Sequence, residues 1–528
     1  MIARPSTLAT LFGMLVATLL LMAAIAFSIA KDVQQLNRQG DAALFEQLIE
    51  NIYAGKGAVS NVFANTQNFI DKGYVSKRTG ELIGRELTPP FQGERNMLKF
   101  HAYFVLFLIA PLLALFQSSL LLALIQSLCF FGLALSTAIL AFRETRSYWA
   151  AVLLPIAVLA NSNWIGGLLG QFYPDRIFIL FGFLICWMAW KHAFSFALLL
   201  LALLTVSINE RAALIAGVAV IGCAMSREGV SLRHANTWPW ATIAMGICML
   251  AYAYLEKTYG LDNLYYGGGY LPGSMDELTA RLSNQDFRHN IGIFLASNAI
   301  LILFSFAVPR LALLSLIVMM PNLVGNIGGA EKTGWLTHYH SYYFPILAFA
   351  GTVGATRLYA FWQRQLPRSI SLANVMASIV FGTSSLLMYK VVLQHEDGLP
   401  FRQALDSARN NFSDWHNGRP TGYAIRNEAK SMFSTGQQVL TTEVGMALLH
   451  DHVRIGVFPV AVEQGDALFI PCDWLKQGPP GYAHPVEFGN WLQARGFDVS
   501  NPNTLHAISY CAVRRLQRDK ELRHHLPN

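Results

Sequence analysis

Long runs of apolar residues, separated by short polar joints, dominate the hydrophobic pattern of this chain. A membrane-spanning helix needs about 20 mostly apolar residues. Twelve segments approach or reach this length, and most of the joints between them are too short to hold a domain. They are 7–29, 101–117, 118–142, 148–165, 177–190, 193–207, 212–225, 238–255, 291–308, 311–325, 342–356 and 371–392. The pattern predicts a mostly α-helical, polytopic membrane protein with its transmembrane bundle over residues 101–392.

The first apolar run follows a single Arg4 and ends at Ser28-Ile29-Ala30, which resembles a signal-peptidase site. Its length exceeds the roughly 7–15 apolar residues of a signal-peptide core. We therefore interpret residues 1–30 as a retained membrane anchor, with a cleaved signal peptide as the alternative.

The distribution of Lys and Arg among the short loops predicts the orientation. Only Gln117-Ser118-Ser119 separates 101–117 from 118–142, so 101–117 could cross the bilayer or only enter it. If it does not cross, one side receives nine Lys and Arg in 35 loop residues, and the other receives six in 61. Basic loops stay in the cytoplasm. This predicts about 11 spans, with 101–117 re-entrant or interfacial and the N-terminus cytoplasmic.

Two segments are then expected outside the cytoplasm. Residues 31–100 form the first outer loop, and apolar residues recur at helical spacing from Asp41 to Tyr53 within it. We expect this amphipathic helix to lie on the membrane surface. Residues 393–528 read as a small soluble α/β domain. Its predicted helices are 399–412 and 486–495, and its predicted strands are 439–442, 453–458, 467–470 and 507–514.

Composition strengthens the membrane assignment. Apolar residues make up 53% of the 528 residues and charged residues 13%, about half of the ~25% charged share of soluble proteins. A soluble catalytic mechanism is thereby excluded. The net charge is +7. In a membrane protein an excess of Lys and Arg mainly sets the orientation, so this charge predicts no nucleic-acid partner. Of the six cysteines, only Cys472 and Cys511 lie outside the membrane segments. They could pair in an oxidising compartment or remain two buried thiols.

Ionisable residues near apolar segments collect on the predicted outer side, and such residues are functional candidates by default. Together they suit the transfer of a group from an anionic lipid carrier. A carboxylate can act as general base toward an acceptor hydroxyl. A cation, or a metal held by carboxylates, can stabilise the departing phosphate. The candidates are Asp41, His101, Asp175, Arg176, Glu210, Arg211, Lys332, His338 and His340.

Each candidate also has a purely structural interpretation. Asp41 could serve only as a helix N-cap. The neighbours Asp175–Arg176 and Glu210–Arg211 could be interfacial ion pairs that stabilise loops. The two histidines, alternating with aromatic residues, could be anchors at the headgroup level. All of these candidates lie on the same predicted side of the membrane, which favours the functional interpretation.

The order and spacing of these features resemble the GT-C superfamily of polytopic glycosyltransferases. The resemblance is closer to a bacterial and archaeal family of membrane proteins, without an assigned function, that is grouped with it. The matching stretches are 41–57, 100–111, 172–175, 208–211, 338–345 and 439–459. The sequence departs from the pattern at Ala42, where many relatives have a second acidic residue. It departs again at Tyr173, where many members of the closer family have a histidine nearby.

The resemblance implies transfer of a sugar from a polyprenyl-phosphate-linked donor to a glycan, lipid or protein acceptor of the envelope. The reaction would take place on the outer face of a bacterial inner membrane. Asp41 would be the catalytic base and Asp175 a second acidic position, with Mg²⁺ or Mn²⁺ as a possible cofactor at these two residues. The other candidates would position the donor, its phosphate or the metal.

Two other functions remain open. A lipid or saccharide transporter or flippase would usually show repeated halves and midplane charges, and no internal repeat is visible. A non-catalytic protein of envelope assembly would use its tail to recruit partners.

Overall fold

The computed structural model describes residues 40–62, 94–99, 101–159, 161, 168, 172–191, 196–226, 239–259, 273–324, 338–365 and 422–516, apart from 461, 483, 485 and 486. The chain divides into two compact units. The helical unit comprises Met1–Ile29, Leu98–Leu108 and Leu121–Ala408. The mixed unit comprises Ala30–Met97, Ile109–Leu120 and Arg409–Asn528.

Helices account for most of the described residues, and a small sheet lies near the C-terminus, as predicted. The helices are α1 Gly40–Tyr53, α2 Val105–Ile109, α3 Ser118–Thr145, α4 Tyr148–Leu159, α5 Phe178–Lys191, α6 Phe196–Val206, α7 Glu210–Ser226, α8 Pro239–Tyr259, α9 Met275–Ser283, α10 Gln285–Ser305, α11 Pro309–Val324, α12 Phe344–Gln365, α13 Gly422–Ser431, α14 Glu443–Leu449, α15 Trp474–Gln477 and α16 Phe488–Ala494. The strands are β1 Val59–Ser60, β2 Arg95–Asn96, β3 Gln438–Thr441, β4 Arg454–Val457, β5 Ala467–Pro471, β6 Asn503–Leu505 and β7 Tyr510–Arg514.

Among the described residues, α3 and α12 are long and apolar enough to cross a bilayer. A third candidate is α10, if its bent halves Phe287–Ala296 and Asn298–Ser305 form one span. The prediction of about 11 spans therefore stays a prediction. The predicted segments 7–29 and 371–392 lie outside the described residues.

The segment 101–117 does not form one long helix. The five residues of α2 continue into a 3-10 turn at Ala110–Ala114. Five α-helical residues at about 1.5 Å and five 3-10 residues at about 2.0 Å cover about 18 Å, less than the ~30 Å hydrocarbon core. The expectation of a re-entrant or interfacial segment stays a prediction.

The predicted loop 257–288 contains a helix that the apolar pattern did not indicate. Helix α9 is polar and begins at a capping residue, because the Ser274 hydroxyl accepts a hydrogen bond from the Glu277 amide at 3.1 Å. Asn284 likewise accepts from the Phe287 amide at 3.0 Å, so α10 starts six residues before its predicted apolar run. Both helices therefore begin directly after a capping residue, whose side chain accepts a hydrogen bond from an otherwise unpaired backbone amide.

The mixed unit contains a five-stranded sheet with the order β4-β3-β5-β7-β6. Strand β3 pairs in parallel with β4 and β5, and β7 pairs antiparallel with β5 and β6. The four predicted strands correspond to β3, β4, β5 and β7, and 486–495 corresponds to α16. Sequence reasoning missed β6, α13, α14 and α15, and the predicted helix 399–412 lies outside the described residues.

Helix α1 finds a partner for its apolar face inside the mixed unit. It packs against α14, β1 and the 3-10 turn at Ala110–Ala114, and Ala43, Leu48 and Ile49 are fully buried. A polar residue between them, Gln47, is also buried because its amide donates to the His450 carbonyl oxygen at 2.6 Å. The expectation that α1 lies on the membrane surface stays a prediction.

A disulfide joins Cys472 to Cys511, across the antiparallel pair β5 and β7. Their sequence separation is 39 residues. We expect the double variant Cys472→Ser/Cys511→Ser to lower the free energy of unfolding by about 3–4 kcal/mol, because the crosslink restricts the unfolded chain. Thermal unfolding of the full chain measures this loss. Peptide mapping without reduction checks the bond itself, and two free thiols would contradict it.

Candidate functional site

Four segments of the helical unit that lead into helices bring their polar side chains together. His101 and Tyr103 precede α2, Asp175 lies in the 3-10 turn Pro174–Ile177 before α5, and Tyr342 precedes α12. Pro174 occupies the first position of its turn, where its fixed φ suits the start of a helix. We call this group, with Asn209 and Glu210 at the start of α7, the polar cluster.

Asp175 lies at the centre of the polar cluster and is 1% exposed. Its Oδ2 accepts a hydrogen bond from the Tyr103 hydroxyl at 3.2 Å. Its Oδ1 accepts from the Asn209 amide and from the Tyr342 hydroxyl. Three donors therefore hold this carboxylate in one orientation, which compensates for its burial. Sequence reasoning did not select Tyr103, Asn209 or Tyr342, since nothing local links them to Asp175.

Glu210 forms the second contact of the polar cluster. Its Oε1 lies 2.8 Å from His101 Nδ1, and its Oε2 accepts from the Ala102 amide at 3.2 Å. Both side chains are buried. Asn209 caps α7, because its Oδ1 accepts from the Ala212 amide at 2.7 Å. The sequence paired Glu210 with Arg211 as one alternative, but the structure places it against His101, 109 positions earlier.

The remaining candidates of the helical unit are distributed around this cluster. Arg176 is fully buried, with its guanidinium 5.5 Å from the centre of the Tyr173 ring. Arg211 lies 5.8 Å from the centre of the Tyr339 ring, and His340 is fully buried. The 3-10 turn His338–Ser341 begins at His338. Lys332 and the side chain of His338 lie outside what the structure describes.

Asp41 lies in the mixed unit, in the first turn of α1. Glu443 lies in the first turn of α14, which packs against α1. Desolvation and the neighbouring Asp41 carboxylate raise the pKa of Glu443. The tail thus supplies a carboxylate near Asp41, although its sequence suggested no chemistry. Asp41 and Asp175 belong to different units, so a single site containing both stays a prediction.

A buried ion cluster lies further along α1. Arg426 Nη1 contacts Glu46 Oε2 at 3.2 Å, and its Nη2 contacts Asp451 Oδ1 at 3.3 Å. His450 Nε2 lies 3.7 Å from Glu46 Oε2 and 3.5 Å from Glu50 Oε2. Glu46, Arg426 and His450 are buried. These contacts fasten α1 to α13 and to the end of α14.

The contacts within the ion cluster shift the pKa values of Arg426 and Asp451. Burial alone would lower the pKa of Arg426, but Glu46 and Asp451 outweigh this effect and raise it. Burial alone would raise the pKa of Asp451, but His450, Arg426 and Lys430 outweigh this effect and lower it. Lys430 also forms an ion pair with Asp451. Arg426 and Asp451 therefore form a charged pair at neutral pH.

Three side chains of the ion cluster, Glu46, Glu50 and His450, place ligand atoms within 4.8 Å of one another, a spacing that could suit a metal ion. The guanidinium of Arg426 already occupies this space, because its Nη2 lies 3.0 Å from His450 Nε2. A divalent metal bound at about 2.0–2.2 Å from these ligands would meet that cation. Asp175 as a metal ligand stays a prediction: three donors contact its oxygens, and a carboxylate offers about four lone-pair sites.

Comparison with known proteins gives a structural similarity at low sequence identity. No protein-family model and no curated protein matches the chain. Among solved structures, the chain is similar to the crystal structure of ArnT from Cupriavidus metallidurans bound to undecaprenyl phosphate, with a TM-score of 0.47 and 11% identity over 95% of this chain and 98% of that chain. Because the TM-score is below 0.5, we base no argument about this chain on the similarity.

Proposed function

We propose that this chain is a GT-C-type membrane glycosyltransferase, which moves a sugar from a polyprenyl-phosphate-linked donor to an envelope acceptor on the extracytoplasmic face. The polar cluster carries the proposal. Buried carboxylates and a histidine in an apolar helical unit are costly and are retained for function. They lie at the starts of helices, whereas transporters place such groups in broken helices at the midplane. The order of the sequence motifs supports the same function.

The proposed reaction gives each group a role. Asp41 accepts the proton of the acceptor hydroxyl as its oxygen attacks the anomeric carbon. The bond between that carbon and the phosphate oxygen breaks, and the polyprenyl phosphate leaves with the electron pair. Attack opposite the leaving group inverts the anomeric configuration. Arg176 and Arg211 would offset the phosphate charge, and the rigidly held Asp175 would position the donor.

A divalent cation, Mg²⁺ or Mn²⁺, belongs to the proposal as a cofactor. These ions prefer carboxylate oxygens, and the pair Asp41 and Glu443 offers two from neighbouring helices. Such an ion would supply positive charge for the departing phosphate. Asp175, which the resemblance also suggests as a ligand, stays the second candidate for this ion.

A transfer assay tests the proposal. Membranes that contain the full chain are incubated with a polyprenyl-phosphate donor labelled in its sugar. We expect the label to move from the lipid fraction to an envelope acceptor, to stop moving after EDTA treatment, and to resume with Mg²⁺. If the label stays on the polyprenyl carrier in every condition, a glycosyltransferase is excluded. Movement of intact donor across the bilayer without transfer would favour a flippase.

The predicted orientation has a separate test. A reporter fused after Asn528, active only outside the cytoplasm, should be active if 101–117 does not span. The mixed unit, which contains Asp41, would then lie on the predicted outer side. An inactive reporter with normal expression, together with activity of the same fusion to a cytoplasmic marker, would contradict the orientation.

A further inference from the structure

The helical unit carries a group of charged residues at the end of α5 opposite the polar cluster. Arg143 lies in the last turn of α3, and Arg146 directly follows that helix. Lys191 is the last residue of α5 and forms an ion pair with Glu144. We call these four residues the basic group. The 14 residues of α5, at about 1.5 Å each, separate it from the polar cluster by about 20 Å, so it has no role in the proposed reaction.

Helix α3 places the basic group at a membrane boundary. It has 28 residues and is long and apolar enough to cross a bilayer. At about 1.5 Å per residue it is about 42 Å long, which exceeds the ~30 Å hydrocarbon core and matches the ~40–45 Å that includes the headgroup regions. None of residues 118–142, which precede Arg143 in α3, is charged. The charged end of this helix therefore lies among the lipid headgroups.

The face of α3 that leads to the basic group is apolar and exposed. Leu128, Leu135 and Ile139 are exposed, and their spacings of seven and four residues place them on one face of the helix. Arg143 follows Ile139 by four residues and continues the same row. An exposed row of large apolar side chains on a membrane-spanning helix is a surface for lipid acyl chains. Acyl contacts and cations are therefore adjacent along one face.

The two guanidinium groups of the basic group have no carboxylate partner within the described part of the chain. Glu144 pairs with Lys191, and the Arg143 guanidinium lies 5.5 Å from the centre of the Trp187 ring. Arg143 and Arg146 are exposed, and neither forms an ion pair with a described residue. The end of α3 contributes only about half a negative charge, which two guanidinium groups outweigh. The basic group therefore attracts anions.

Arg146 adopts a backbone conformation that is unusual for arginine. Its φ is 54°, in the left-handed region where residues with a Cβ are strained. Glycine is the usual residue directly after a helix, because it adopts this conformation without strain. The amide of Arg146 still donates to the Phe142 carbonyl oxygen at 2.7 Å and closes the helix. A strained position that carries a cation points to a function of its side chain.

We propose that the basic group binds the phosphate of an anionic phospholipid. Arg143 and Arg146 would donate hydrogen bonds to the phosphate oxygens, whose geometry a guanidinium matches. The acyl chains would lie along the exposed face of α3 with Leu135 and Ile139, and this apolar contact distinguishes a lipid from a free phosphate ion. Basic pockets between membrane-spanning helices bind anionic headgroups in the same way. The proposal does not depend on the glycosyltransferase assignment.

Lipid retention by the full chain tests this inference. The purified protein is incorporated into nanodiscs of phosphatidylglycerol and phosphatidylethanolamine, and retained lipids are counted by native mass spectrometry. We expect the wild type to retain phosphatidylglycerol preferentially. Arg143→Gln/Arg146→Gln should reduce that preference about 25-fold, since each cation near a membrane surface contributes about fivefold.

A matched control removes the same kind of charge elsewhere in the helical unit. Arg288 is exposed and lies in the first turn of α10. The last turn of that helix, with Phe304, packs against Ala141 of α3, two residues before Arg143. Arg288 therefore lies at the end of α10 away from the basic group, and Arg288→Gln should leave the lipid preference unchanged.

Two further measurements keep the test decisive. Arg143→Lys/Arg146→Lys should keep most of the preference, because both positive charges remain. A short-chain phosphatidylglycerol should raise the melting temperature of the wild type in detergent, whereas inorganic phosphate at the same concentration should not, because it lacks acyl chains. Equal retention of both lipids by the wild type, an unchanged preference in a folded Gln double variant, an equal loss in Arg288→Gln, or equal stabilisation by inorganic phosphate would each overturn the proposal.

Discussion

Asp41→Asn should lower sugar transfer by a factor of about 10²–10⁴, the usual contribution of a general base. Asparagine has the same shape as aspartate but cannot accept the proton of the acceptor hydroxyl. Asp41 lies in the first turn of α1, after its first residue Gly40, and asparagine has a similar helix propensity, so α1 and its packing should be preserved. The loss is expected in kcat, because the substitution removes the base and one carboxylate of the proposed cation site, while Arg176 and Arg211 still bind the donor phosphate. The transfer assay with the labelled polyprenyl donor measures it.

This substitution separates the two interpretations of Asp41. If Asp41 serves only to stabilise the first turn of α1, Asp41→Asn retains full transfer. A control is Asp473→Asn, because Asp473 lies at the start of another helix, α15, and is exposed. It should leave transfer unchanged. Full activity of Asp41→Asn at normal protein levels would remove Asp41 as the base.

Arg426→Met should lower the free energy of unfolding by about 3–5 kcal/mol, the typical cost of breaking a buried ion pair. The guanidinium is 6% exposed and contacts Glu46, which is 3% exposed. Its removal takes a cationic partner from a carboxylate that stays buried. Methionine retains much of the side-chain volume, so the loss reflects charge rather than a cavity. Thermal unfolding of the purified chain in detergent measures it.

The double variant Glu46→Gln/Arg426→Met should recover much of this loss, because it leaves no buried unpaired charge from that pair. The native cluster should also be sensitive to acid. The folded state lowers the pKa of Asp451, so its contribution is present above the unfolded value of about 3.9 and is lost as pH falls below it. An Arg426→Met variant as stable as the wild type, or one that the second change does not rescue, would contradict this account.

Local patterns in the sequence were sufficient for the elements and for most of the candidate residues. The run 177–190 became α5, with its bounds shifted by one residue, and Asp41 begins an amphipathic helix as predicted. Strands β3, β4 and β5 also lie where the β-rich runs placed them. Apolar runs, capping residues and the alternation of apolar and polar residues involve only near neighbours in the chain. They can therefore be recognised in a single sequence. The polar helix α9 was not predicted, because it is marked by a capping residue and not by an apolar run.

What the sequence determined by itself is therefore the membrane character of the chain, its main elements and the acidic and basic residues available for chemistry. Only the tertiary structure decided which of them meet: Glu210 with His101, Asp175 with Tyr342, and Glu443 of the tail with Asp41. These partners are separated by 109, 167 and about 400 positions. The physical reason is that a buried charge must be matched by whatever donor or opposite charge the packing brings near it, and packing over such distances leaves no local periodicity.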